Sequence, residues 1–390
     1  MNDGDIRRIA AQYGTPLYLY DGDKIQSQYQ LLKSCLPDGF EIFYSVKANP
    51  LLGICQLFKQ WGAGIEIASS GELHVALAAG FKPEDIIFTS PGKTVDEMEY
   101  AVTANIYCIN IESLAEAETL DRIAAAQAKK VRIALRINPD FNLSGAGIKM
   151  TGVASQFGID QRQLETVLPR LQNLSNLRIA GIHIYTGTQM LDANQLLANL
   201  EEIIKLALQL AADYQLNLEF LDLGGGFGIP YFKGEVALDL EMFRQGLAVI
   251  WDKYRERLSR TRVAVESGRF LMAESGVYLS KILYRKECKG NRYLVCDGGS
   301  NQHANSAFLG RHIRNNFPMR ILDRLDEPEE VTVVGPLCTP TDVIGQKVTL
   351  AQALPDDILV VEKSGAYGLT NSPNLFLGHP LPAEIIVFQG

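Results

Sequence analysis

Eight short apolar runs, spaced by helical patterns, constrain this chain more than any other feature. They are EIFYSV (41–46), GIEIAS (64–69), DIIFTS (85–90), IYCINIES (106–113), VRIALRIN (131–138), IAGIHIY (179–185), LEFLDL (218–223) and RVAVES (262–267). Each is rich in β-branched residues and apolar at successive positions, so both faces are meant for burial. That is the pattern of parallel strands covered by helices. The segments between them read as amphipathic helices. The clearest, NQLLANLEEIIKLALQLAADY (194–214), places apolar residues at i, i+3, i+4 and i+7. Eight strand–helix units in a row predict an α/β fold, a TIM-type (β/α)8 barrel over residues 24–275.

The pattern changes near residue 276. VYLSKILYR, RYLVCDG, EEVTVVGPLC, QKVTL, DILVVEKSG and AEIIVFQ follow one another without long helices. They predict an antiparallel β-domain over residues 276–390. Residues 1–23 join it, because PLYLYD (16–21) precedes the barrel and reads as one more of its strands.

Charge narrows the partners. With 37 Lys and Arg against 45 Asp and Glu the net charge is −8, which argues against a nucleic-acid or anionic-membrane partner. The start, MNDGDIRRIAAQYG, lacks the apolar core of a signal peptide, and no apolar run approaches transmembrane length. The six cysteines are scattered, with no CxxC or His/Cys cluster that suggests a metal. A reducing cytoplasm is the expected location.

In such barrels the active site lies at the C-terminal strand ends. Lys47 ends the first strand, Glu66 lies on the second and Arg136 on the fifth. The sixth ends in HIYTGTQ, with His183, Tyr185 and Thr188. The seventh runs into GGGFG (224–228) and the eighth into ESGR, with Glu266, Gly268 and Arg269. The loops after strands seven and eight are the usual phosphate site of this fold. Gly225 and Gly226 would bring backbone N–H groups close to phosphate oxygens, and Arg269 would add a charged fork. A tight turn explains the glycines equally well. Lys47 in the barrel mouth reads either as a desolvated, nucleophilic amine or as a lysine reaching solvent from a strand end. With a phosphate site across the barrel, the economical ligand is pyridoxal 5′-phosphate held on that amine. Glu266 would then face the pyridine nitrogen and keep it protonated; its alternative is a simple pair with Arg269.

The motifs YSVKANP, IEIASSGEL, SQFGI, GIHIYTGTQ, LDLGGGFG, ESGR, CDGG, GPLCTPTD and SGAYG occur in this order. In that series the chain resembles the fold-type III pyridoxal-phosphate decarboxylases, the group of diaminopimelate and ornithine decarboxylases. The resemblance implies that Lys47 is the Schiff-base lysine and that Glu266 binds the pyridine nitrogen. It implies that Thr188, Gly225, Gly226, Gly268, Arg269 and Tyr367 hold the phosphate, and that Glu66 and Arg136 flank the cofactor. It also implies a homodimer with shared sites, in which Cys338 and Asp342 enter from the partner subunit, Cys338 as proton donor and Asp342 at the substrate. From the residues alone, a buried cysteine and a turn aspartate are the simpler readings.

Two departures stand out. Tyr185 occupies the place where the family's main members stack a histidine on the cofactor ring. Thr339 follows Cys338 where diaminopimelate decarboxylases carry a glutamate for the distal amino group. The stretch GGSNQHANSAFLGRHIRNNFPM, with His303 and Arg314 as candidate substrate contacts, also lacks the diaminopimelate spacing. The pattern is closest to the subgroup that decarboxylates conjugated substrates: glutamyl-carrier-protein, siderophore-pathway and exosortase-associated decarboxylases. The expected substrate is therefore a conjugated or acyl-carrier-protein-tethered amino acid in a siderophore or secondary-metabolite pathway. Three alternatives stand beside it: a meso-diaminopimelate decarboxylase giving L-lysine, an amino-acid racemase, and a non-catalytic pyridoxal-phosphate carrier. Loops 140–158 and 300–318 would shape the substrate pocket.

Overall fold

The computed structural model describes residues 1–141, 148–149, 154–307 and 315–388. Its eight-stranded barrel is built from β1 (Phe40–Ser45), β2 (Gly64–Ile67), β3 (Ile86–Thr89), β4 (Cys108–Ile111), β5 (Val131–Asn138), β6 (Leu177–His183), β7 (Phe220–Asp222) and β8 (Arg262–Ser267). All neighbours pair in parallel, and β8 returns to β1, so the sheet is closed. All eight apolar runs of the sequence fall on these strands. β2, β3, β4 and β7 are buried at every position, as strands covered on both faces must be.

Phe43, Ile87, Cys108, Ala134, Phe220 and Ala264, from six different strands, pack together as one core cluster. The Arg262 guanidinium lies 5.1 Å from the Phe43 ring centroid and 4.4 Å from that of Tyr107. It also pairs with the Glu41 carboxylate at 2.5 Å. The predicted long helix runs from Ala193 to Asp213 and is capped by Asp192. Several strand-to-helix turns close on a side-chain cap: Ser69 accepts from Glu72 N–H, Thr94 forms a capping box with Glu97, and Ser113 accepts from Glu116 N–H.

The chain divides into two units, residues 31–229 with 236–268, and residues 1–30, 230–235 and 269–390. The second unit carries the β-domain. Leu17–Asp21 lies between Gly276–Cys288, antiparallel, and Ala383–Val387, parallel. Asn291–Cys296 pairs in parallel with Pro328–Val334. The sheet is thus mostly antiparallel, with two parallel pairings the sequence did not reveal. A capped helix, Asp3–Tyr13, buries Ile6, Ile9 and Ala10 against Leu17, Leu19, Leu279 and Val360. Among the described residues no helix is long and apolar enough to cross a membrane.

Candidate active site

β1 ends at Ser45, two residues before Lys47, and the chain tightens into a 3-10 turn over Val46–Ala48. The Tyr44 hydroxyl locks this turn by donating to the Asn49 carbonyl at 2.7 Å. Val46 and Ala48 are buried, which turns Lys47 outward between them. Its side chain is 40% exposed, and Nζ lies 3.1 Å from both carboxylate oxygens of Glu66, which is 1% exposed. An ion pair therefore holds the amine. The same pair compensates a carboxylate that would be costly to bury alone. The Tyr185 ring centroid stands 5.8 Å from Nζ.

Beside Glu66 lies Glu72, whose Oε2 accepts the Ala68 N–H at 2.6 Å. Burial, reinforced by the Glu66 charge, pushes the Glu72 carboxyl up to about 7.

Three side chains on β6, β7 and β8 meet in the barrel interior. His183, Asp222 and Glu266 are buried, and their donor and acceptor atoms lie within 4.8 Å of one another. Asp222 and His183 are directly paired across the strands. Asp222 Oδ1 accepts the Gly224 N–H at 2.9 Å. Glu266 Oε1 and both His183 ring nitrogens have no hydrogen-bond partner among the described residues. Desolvation, with Asp222 and Glu66 nearby, holds the Glu266 carboxyl well above its usual range. Desolvation and the charges of Arg136 and Lys47 keep His183 neutral. Asp222 was missed by the sequence reading.

Arg136 on β5 donates from Nη1 to Glu112 Oε1 at 2.8 Å, and its guanidinium lies 4.8 Å from the Phe157 ring centroid. Glu112 Oε2 accepts the Gly158 N–H at 2.9 Å, while its own N–H donates to Glu116. Glu116 also pairs with the fully buried Lys93 ammonium at 2.5 Å. This series of bonds orients the buried Arg136.

The glycine run passes close under other backbone. A Cβ on Gly225 would collide with the Glu266 carbonyl, and Gly226 takes φ +111° with the Met190 side chain against it. The Tyr185 ring lies against Gly224 and Gly225. Gly268 packs on Ala48 and Ser45, next to the Lys47 turn. Thr188 sits in a two-residue strand paired with Ile148–Lys149.

In the second unit the Arg269 guanidinium lies 4.7 Å from the Tyr367 ring centroid and 5.7 Å from that of Tyr231, whose hydroxyl accepts from Nη1 at 3.3 Å. Tyr367 holds φ +55°, an uncommon conformation for a bulky residue. Cys338 is exposed. The Thr339 hydroxyl is bonded to that of Thr341 at 3.0 Å. Asp342 is buried, with Oδ1 accepting the Ser300 N–H at 2.6 Å and Oδ2 the Leu337 N–H at 2.8 Å. His303 is buried as well, with Nε2 2.9 Å from the Ser364 hydroxyl and Nδ1 accepting the Ser306 N–H at 3.2 Å. Arg314 lies outside the described residues.

A flat ring with one basic nitrogen and a phosphate suits the barrel residues. Glu266 offers an oxygen without a partner, the glycines leave room for close backbone approach, and Lys47 supplies an amine at the mouth. The comparisons agree. A family model described as pyridoxal-dependent decarboxylase, pyridoxal binding domain, matches residues 22–273. The chain is 41% identical over 396 residues to the L-glutamyl-(BtrI acyl-carrier protein) decarboxylase of Niallia circulans, covering 100% of this chain and 92% of that one. It is 31% identical to the diaminopimelate decarboxylase of Aquifex aeolicus, covering 99% and 89%. The crystal structure of diaminopimelate decarboxylase from Helicobacter pylori complexed with L-lysine superposes with a TM-score of 0.87 at 29% identity, covering 98% of this chain and 94% of that one. With its whole barrel matched and its relatives decarboxylases, the chain belongs to the pyridoxal-dependent decarboxylases, carboxy-lyases that use pyridoxal phosphate on amino acids.

Proposed function

We propose that this enzyme α-decarboxylates an amino acid presented as a conjugate, tethered to a carrier protein or amide-linked to a carboxylic acid, in a siderophore or secondary-metabolite pathway. The observation that carries this reading is the turn after Cys338. A distal ammonium needs a carboxylate, because a desolvated charge without its partner costs several kcal/mol. Thr339 offers a neutral hydroxyl, and both Asp342 oxygens are already taken by backbone N–H groups. The similarity to a carrier-protein glutamyl decarboxylase supports the same conclusion.

Bound in the barrel, pyridoxal phosphate supplies a ring that accepts the electron pair left when CO2 departs. Lys47 would carry it through Nζ, and Glu66 orients that amine. Glu266 would meet the ring nitrogen with a proton, and Tyr185 and Arg136 would flank the ring. Backbone N–H groups of Gly225, Gly226 and Gly268, with Thr188, Arg269 and Tyr367, bind the phosphate. Cys338 protonates the carbon that lost CO2. We read the active form as a homodimer in which Cys338 comes from the partner subunit, an assignment that suits its exposure. Asp342 enters from the partner subunit with Cys338 and serves the substrate by fixing the turn that carries Cys338 and Thr339, and His303 serves it through the turn it holds with Ser306 and Ser364.

CO2 release from glutamyl-loaded carrier protein, an amide-linked diamino acid and free meso-diaminopimelate, at equal concentrations, tests the reading. Turnover should favour a conjugate. Efficient turnover of free diaminopimelate, with kcat/KM at or above about 10^4 M⁻¹s⁻¹, would overturn it in favour of a lysine-forming enzyme.

A further inference from the structure

Asp222 has no part in the reaction as described above, yet it is the most deeply placed carboxyl of the site. It lies on β7, fully buried, between His183 on β6 and Glu266 on β8. Two buried carboxylates whose oxygens lie within 4.8 Å repel strongly, so the pair keeps a proton. Asp222 Oδ2 and Glu266 Oε1 are both without a hydrogen-bond partner among the described residues, and a proton kept by the pair makes one carboxyl the donor. Their anchoring is unequal. Asp222 Oδ1 already accepts the Gly224 N–H at 2.9 Å, a bond that favours its ionised form. Glu266 Oε1 is without a hydrogen bond among the described residues, and His183 Nε2 stands 3.5 Å away.

We propose that Asp222 is a positioning residue that holds Glu266 in its protonated form, so that the proton needed by the cofactor's ring nitrogen is stored in the protein beforehand. This rests on the reading of Glu266 as the partner of that nitrogen. Transfer breaks the O–H bond of Glu266 and forms an N–H bond on the ring, and the total charge of the site does not change. The other groups facing the pair are Glu66, which favours retention of the proton, Lys47 and Arg136, which oppose it, and the neutral His183. Burial and the neighbouring acids raise both carboxyls, Asp222 to about 7. The Gly224 bond gives Asp222 a second effect, since the same carboxyl pins the first residue of the glycine run.

The test uses the apoprotein, with the glutamate side-chain carboxyls 13C-labelled, and follows the infrared C=O band of protonated carboxyls against pH. Wild type should show a protonated glutamic acid at neutral pH that disappears in Glu266→Gln, which separates it from Glu72. In Asp222→Asn the band should be lost at least one pH unit lower, a tenfold loss of proton affinity. Asparagine can still accept the Gly224 N–H, and cooperative unfolding checks that the variant is folded. An unchanged titration in Asp222→Asn, or no band assignable to Glu266, overturns the proposal. Cofactor affinity of Glu266→Gln separates the two readings. If it binds pyridoxal phosphate as tightly as wild type, the ring-nitrogen role fails and the storage role with it. If affinity falls while Asp222→Asn titrates as wild type, only the role of Asp222 fails.

Discussion

Lys47 Nζ stands 3.1 Å from both oxygens of Glu66, on the neighbouring strand of the barrel. One amine, 40% exposed, is thus held by one carboxylate that is 1% exposed. Glu66→Gln keeps the shape and removes the charge. A hydrogen bond to a charged group contributes about 1.5–3 kcal/mol, so kcat should fall roughly 10- to 100-fold. Steady-state kinetics with the fold checked by circular dichroism reads this, and unchanged kcat would remove Glu66 from the account.

Glu72 sets a pH dependence. Its carboxyl is raised from 4.5 to about 7, chiefly by burial. The folded state therefore binds a proton that the unfolded state releases between about pH 4.5 and pH 7. That contribution to stability is full below this window and is lost as pH rises through it. Glu72→Gln is neutral throughout and can still accept the Ala68 N–H. Relative to it, the wild-type apoprotein should lose roughly 3 kcal/mol between pH 4 and pH 8. Urea unfolding at both values measures the difference, and a flat difference contradicts the buried proton.

Thr339→Glu tests the substrate. A carboxylate beside Cys338 restores a partner for a distal ammonium. The variant should raise kcat/KM for meso-diaminopimelate about tenfold or more and lower it for a conjugate. A drop for both substrates would mean that this position does not face the distal end.

Shared sites make subunits complement one another. Lys47→Ala and Cys338→Ala should each be inactive alone. In a randomly exchanged mixture half the dimers are mixed and one of their two sites is intact, so activity should recover to about a quarter of wild type. No recovery after demonstrated exchange would place each site within one chain.

The barrel was readable because its strands are buried on both faces. Runs such as GIEIAS and DIIFTS carry no alternation to be misread. Lys47, Glu66, Arg136 and Glu266 stood out as charges at the ends of apolar runs. Asp222 did not, since one aspartate in LEFLDL looks like ordinary strand variation. Its partner His183 is 39 positions away in the chain and adjacent only once β6 and β7 pair. Glu112 is hidden in the same way, because its reason for being there is Arg136 on the next strand. The helix Asp3–Tyr13 buries only Ile6, Ile9 and Ala10, too few apolar positions to show a periodic face. Asp342 was read as a substrate contact, and its bonds to Ser300 and Leu337 depend on loops that meet only in the folded β-domain.

The central claim is that Lys47 carries the cofactor. Reduction of the pyridoxal-phosphate-loaded enzyme with borohydride, followed by digestion and peptide mass mapping, tests it most directly. The account predicts one pyridoxyl adduct, on the peptide that contains YSVKANP, and none in Lys47→Ala. An adduct on any other lysine, with Lys47 unmodified, would contradict it.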